Sequence, residues 1–105
     1  MADYLLLYSG GGMPETEEEQ AAVMQAWNTW MEGLGSALKD GGNPFNPGAA
    51  KTIGADGSIR DGDGTATGYS IIQADSLDTA TDLAKGCPVL QGGATLTVYE
   101  TMDVM

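Results

Sequence analysis

Gly68-Tyr69-Ser70-Ile71-Ile72-Gln73-Ala74 reads as a β-strand, and the residues after it make it the pivot of the fold. From Asp75 to Lys85, Leu77, Ala80, Leu83 and Ala84 recur at helical spacing. Asp75 or Ser76 stands where a helix cap belongs, Lys85 suits the negative end, and Gly86 closes the helix. From Ala94 to Met102 the pattern alternates again, Leu96 and Val98 against Thr95, Thr97 and Tyr99. Gly68 to Met102 is therefore a strand–helix–strand unit. Its first strand is apolar on both faces, with Tyr69 and Ile71, then Ile72 and Ala74, so it needs cover on both sides.

The first half repeats the plan. Tyr4-Leu5-Leu6-Leu7-Tyr8 is a strand with Tyr4, Leu6 and Tyr8 on one face and Leu5 and Leu7 on the other. Ser9-Gly10-Gly11-Gly12 is a flexible connection and not a phosphate loop. No Lys-Ser/Thr follows it, and Glu15, Glu17, Glu18 and Glu19 would repel a phosphate. A helix should begin between Pro14 and Thr16, where Thr16 and Glu19 match a capping box. Its stripe runs through Val23, Trp27, Trp30, Met31, Leu34 and Leu38, with Gly41-Gly42 as the stop. Gly33 and Gly35 weaken its last turns by about 1 kcal/mol each relative to Ala.

In the middle, Asn43-Pro44-Phe45-Asn46-Pro47-Gly48 is a turn-rich loop. Phe45 is either tucked into the core or part of a pocket wall with Asn43 and Asn46 as polar partners. Lys51-Thr52-Ile53 and Ser58-Ile59-Arg60 flank Gly54-Ala55-Asp56-Gly57, a hairpin signal. Asp61-Gly62-Asp63-Gly64 fails as a calcium loop because its twelfth position is Ile72. The sum is one α+β domain over residues 1–105, with a four-stranded antiparallel sheet, two helices on one face and an added hairpin.

Composition bounds the chemistry. Fifteen acids against four bases give a net charge of −11, which excludes nucleic acid and anionic membrane as partners. No apolar run approaches the ~20 residues of a membrane span. The start of the chain has no signal-peptide pattern, and the lone Cys87 fits a reducing compartment, so the cytoplasm is the expected location. Cys87 follows a helix C-terminus and reads as a small buried residue. There is no histidine, which removes the commonest base near neutral pH and the commonest transition-metal ligand.

Gly68 to Ile72, Ala74 to Ala80, Ala84-Lys85-Gly86-Cys87-Pro88-Val89-Leu90 and Gly92 to Glu100 closely resemble the YCII-related proteins, in particular the branch named for an Asp-Gly-Pro-Phe motif. The opening strand, Pro14-Glu15 and the long helix match as well. The resemblance implies a ferredoxin-like βαββαβ domain, with the first and third strands central, that pairs into a dimeric α/β barrel. Relatives of that barrel include muconolactone isomerases, a chloromuconolactone dehalogenase and small monooxygenases. Here the branch motif is reduced to Asp63-Gly64-Thr65, Val89 stands where some relatives have His, and a His–Asp pair cannot form.

Two functions follow. One is a non-catalytic homodimer that holds a small organic ligand in a cleft beside the sheet, with Trp30, Asn43, Phe45 and Asn46 as ligand contacts. The other is a small enzyme of the isomerase, dehalogenase or monooxygenase type, with Asp63 as base and Tyr8 or Tyr69 as donor. Trp27 and Trp30 lie on the helix stripe, so core packing competes with ligand stacking for them. An acid doing base chemistry would sit in a concave apolar site with a raised pKa. No cofactor is implied. With one cysteine and otherwise hard carboxylates, elemental analysis of the purified protein should show no stoichiometric zinc, copper or iron.

Overall fold

Period-two burial builds the centre of the sheet. In the computed structural model, strand β1 (Ala2–Ser9) buries Tyr4, Leu6 and Tyr8 and leaves Leu5 and Leu7 half-buried. The structure describes residues 1–12, 15–46 and 48–104; Pro14 as a helix start and Pro47 as a loop stiffener lie outside them.

Helix α1 (Glu17–Leu34) opens on Thr16, whose extended backbone turns its Oγ1 to accept from Glu19 N at 3.1 Å. Glu17, Glu18 and Glu19 occupy the first turn, where the helix dipole favours carboxylates. The stripe pointed to Leu38 and a stop at Gly41-Gly42, but the helix ends four residues earlier, at Leu34. Gly35 adopts φ 55° and donates its N–H to Met31 O, a conformation open to glycine. A 3₁₀ turn (Gly35–Ala37) leads into β2 (Leu38–Asp40), so Leu38 reaches the core from a strand. The hairpin forms as β3 (Lys51–Ile53) and β4 (Ile59–Asp61).

Strand β5 (Ala66–Ala74) precedes helix α2 (Leu77–Ala84). Ser76 caps α2 by accepting from Thr79 N at 3.1 Å, which settles the choice between Asp75 and Ser76. After a 3₁₀ turn at Pro88–Gly92 comes β6 (Thr95–Glu100), shorter at both ends than the alternating run.

The main sheet is antiparallel, in the order β2-β5-β1-β6, with β1 and β5 central; β3 and β4 form a separate two-stranded sheet. This mixed α+β arrangement of two helices and antiparallel sheets is consistent with a ferredoxin-like fold. Tyr4, Leu6 and Tyr8 meet Ile72 and Ala74 of β5, Leu34 of α1 and Ala80 and Ala84 of α2 in one buried cluster. Leu96 and Val98 pack against its edge, as the alternation of β6 requires.

The backbone after β2 lies hard against β5. Gly42 has φ 72°, and a Cβ there would stand 1.7 Å from Tyr69 O. Gly33, inside α1, has open space around the corresponding position. Denaturant unfolding should therefore find Gly42→Ala destabilised by more than ~2 kcal/mol and Gly33→Ala stabilised by about 0.5–1 kcal/mol.

Candidate functional site

A buried hydroxyl chain runs under the helices. Tyr8 donates to Ser70 Oγ at 2.6 Å, and Ser70 donates to Gly41 O at 2.8 Å. Ser70 is fully buried, so the chain supplies partners that water cannot. The Cys87 thiol lies against the Tyr8 hydroxyl. Burial pushes both groups above their ordinary pKa values, so neither is poised to ionise near neutral pH. Trp27 meets Tyr8 edge-on at 5.7 Å and Trp30 edge-on at 5.7 Å. Trp30 Nε1 donates to Leu83 O at 3.0 Å, which ties α1 to the end of α2.

Beyond Trp30 the surface opens into a groove of about 350 Å³. Ala22, Gln25, Ala26 and Thr29 of α1 form one wall; Gly86, Pro88 and Gln91 form the other. Gly86 keeps the rim open at Trp30, since a Cβ there would approach the indole to 3.2 Å. Among the described residues, the groove offers an aromatic surface with two amide side chains and no charged group. Of its residues the sequence reading named only Trp30 as a ligand contact. Gly86 and Pro88 sit where helix, turn and strand signals crowd together, and nothing in their types marks a ligand.

The opposite face of the sheet carries Tyr69 and Phe45. Leu5 stands between Ile71 and Tyr99, and Leu7 between Tyr69 and Thr97. The Tyr69 ring stacks on Phe45 at 6.0 Å, and its hydroxyl donates to Asp40 Oδ2 at 3.3 Å. Phe45 is held by its own N–H, which donates to Thr67 O at 2.8 Å. Its ring is not in the core but remains exposed over this face. Asn46 is exposed and accepts from Ala49 N; Asn43 is half-buried beside Gly68. Tyr8 and Tyr69 thus point to opposite sides of the sheet and do not share a site.

Asp63 belongs to neither cluster. It is exposed on a turn, where its carboxylate accepts from Thr65 N at 3.0 Å; that bond holds its pKa below the ordinary value. This is the signature of a solvated turn and not of a base in an apolar cleft. Among the described residues no three Cys, Asp or Glu side chains stand close enough to hold a metal ion, and no helix is long and apolar enough to cross a membrane.

The fold and the two faces define a small α+β domain with a buried hydroxyl chain on one side and an apolar strand surface on the other. The chain belongs to the YCII-related family: the YCII-related domain model matches residues 4–104. A comparison with curated proteins finds no match. Among solved structures it is similar to 5-chloro-2-hydroxyhydroquinone dehydrochlorinase (TftG) from Burkholderia phenoliruptrix AC1100, in complex with 2,5-dihydroxybenzoquinone. That similarity has a TM-score of 0.52 and 20% identity over 94% of this chain and 93% of the other.

The raised pKa values set the pH response. The unfolded chain would release these protons first, so stability is full below the thiol's ordinary 9.0 and falls as pH climbs through that value and the tyrosine's 10.0. Tyr8→Phe should cost roughly 1–2 kcal/mol at neutral pH by removing one partner of buried Ser70. It should also flatten the decline above pH 10, measured by denaturant unfolding from pH 7 to 11. Tyr4, whose hydroxyl is also raised by burial, keeps part of that slope.

Proposed function

We propose that the chain is a small-molecule-binding homodimer of the YCII-related family, with its ligand in the groove beside Trp30. The groove carries this reading. Its volume of about 350 Å³ lies within the ~300–1,000 Å³ of small-molecule sites, and its wall is apolar with a few polar side chains. A planar organic molecule bearing hydroxyl or carbonyl groups suits an indole flank with Gln25 and Gln91 as donors and acceptors. The quinone named with the dehydrochlorinase is a probe of that class. Asn43, Phe45 and Asn46 do not line this groove, and Phe45 lies over Tyr69 on the other face of the sheet.

The homodimer is supported by the strand surface of Leu5, Leu7, Tyr69 and Ile71, which neither helix covers. A second copy would bury it with two-fold symmetry and close the dimeric α/β barrel. Burial of Tyr4, Leu6 and Tyr8 under the helices leaves Leu5 and Leu7 as the face of β1 that would meet the partner. The branch defined by Asp-Gly-Pro-Phe remains part of this proposal, with Asp63-Gly64-Thr65 in the corresponding loop.

The second reading is a small enzyme that uses Asp63 and a tyrosine, favoured by the dehydrochlorinase likeness. Against it stand the solvated carboxylate of Asp63 and the separation of Tyr8 from Tyr69. Titration with 2,5-dihydroxybenzoquinone should quench tryptophan fluorescence saturably. Ala22→Phe, an exposed position on the groove wall, should weaken that response at least about tenfold with no loss of stability. Equal binding by the variant, or no saturable binding by either protein, would remove the groove from consideration. Turnover of a chlorinated hydroxyquinol by the unmodified protein, lost in Asp63→Asn, would decide for the enzyme.

A further inference from the structure

The β3–β4 hairpin stands away from the body. Its strands pack on each other and make no substantial contact with the helices or the main sheet among the described residues. The molecule is 44 × 39 × 17 Å, thin as two layers are, and its radius of gyration of 15.2 Å exceeds the roughly 13 Å of a compact chain this long. A lone two-stranded hairpin is at best marginally stable in water. This one is nonetheless built with care. Gly54 N donates to Ser58 O at 2.7 Å, Gly57 N donates to Gly54 O at 2.9 Å, Gly57 takes φ 88°, and Asp56 Oδ1 accepts from Ser58 N. Lys51 pairs with Asp61 across its base.

Its outer half is apolar. Ile53 and Ile59 are direct cross-strand partners, share one face, and are each 69% exposed. Two β-branched side chains held side by side at the end of a projecting arm have no use for each other alone. At the other end, the arm begins just after Phe45, whose ring lies on Tyr69. Residues 46–50 link that ring to the first strand of the arm.

Charge selects the partner. Three of the four cations, Lys39, Lys51 and Arg60, lie between residues 38 and 65 with four of the fifteen acids, which leaves that segment at −1 and the rest of the chain at −10. Two bodies of −10 repel wherever their bare surfaces approach. The arm, in which Lys51 and Arg60 offset Asp56 and Asp61, can lie on the acidic body of another copy without that penalty.

We propose that the β3–β4 hairpin is an arm that clasps a second copy of this chain, with Ile53 and Ile59 seated on that copy beside the shared sheet faces. The proposal rests on the homodimer described above. Each copy contributes one arm, so the contact is reciprocal under two-fold symmetry. The sheet faces supply the centre of the interface and the arms its margin.

Sedimentation equilibrium at micromolar concentrations compares the unmodified chain with Ile53→Asp/Ile59→Asp and with Leu5→Asp. The arm variant changes exposed residues, so the monomer fold should survive, which circular dichroism checks. The expected result is a dimer dissociation constant at least about tenfold higher in the arm variant. In a mixture of isotope-labelled and unlabelled chains, the Ile53 and Ile59 methyls should show contacts to the other copy. An unchanged dissociation constant, or methyl contacts confined to their own chain, would overturn the arm and leave the homodimer standing. A single 10.8 kDa species for the unmodified chain would end both.

Discussion

A buried serine with no access to water governs the centre of this fold. Ser70 lies mid-strand in β5 with its side chain in the core, where an unpaired hydroxyl would cost about 1–3 kcal/mol. Tyr8, on the neighbouring strand, donates to its oxygen, and Gly41 O, in the loop after β2, accepts the hydrogen bond that Ser70 donates. Three chain segments distant in sequence are thereby brought to one point. Apolar packing alone would tolerate sliding of those segments; a hydrogen-bond chain at 2.6 and 2.8 Å tolerates little. The close approach of Gly42 to Tyr69 O follows from the same pinning, and Phe45 comes to lie over Tyr69 three residues later.

On the helix side the pinning continues through aromatic rings. Trp27 edges onto Tyr8, Trp30 edges onto Trp27, and the Trp30 indole donates to the last turn of α2. Core packing, set against ligand stacking in the sequence, holds both rings, which pack half-buried against the main cluster. Trp27 fills the space over Tyr8. Trp30 is anchored by its N–H and still shows an edge to the groove. An indole already fixed by its hydrogen bond would lose little entropy to a planar molecule of the kind proposed for the groove.

The sheet was legible because its signals are local and strong. The alternation of β6, the two apolar faces of β1 and β5, and Asp56-Gly57 between short β-prone runs each point to one structure. The end of α1 was not, because Leu38 continues the helical spacing and is equally at home in a strand paired with Ile72. What broke the tie was the positive φ of Gly35, which helix propensity registers only as a weakness. The candidate site was harder still. Tyr8 and Tyr69 look alike in sequence, but their positions in β1 and β5 send them to opposite faces. Asp63 was named for its residue type, and only its turn geometry reveals a carboxylate occupied by Thr65 N. Gly86, Pro88 and Gln91 carry no chemical signature, so a groove built from them emerges only in three dimensions.

The absence of histidine constrains function more than the presence of any residue. A base near neutral pH would then need a carboxylate with a raised pKa or a tyrosine or cysteine with a lowered one. Burial moves Tyr8 and Cys87 the wrong way, and hydrogen bonding moves Asp63 the wrong way. These shifts all favour the protonation states that Tyr8, Cys87 and Asp63 hold at neutral pH, so none of the three is poised as a base there.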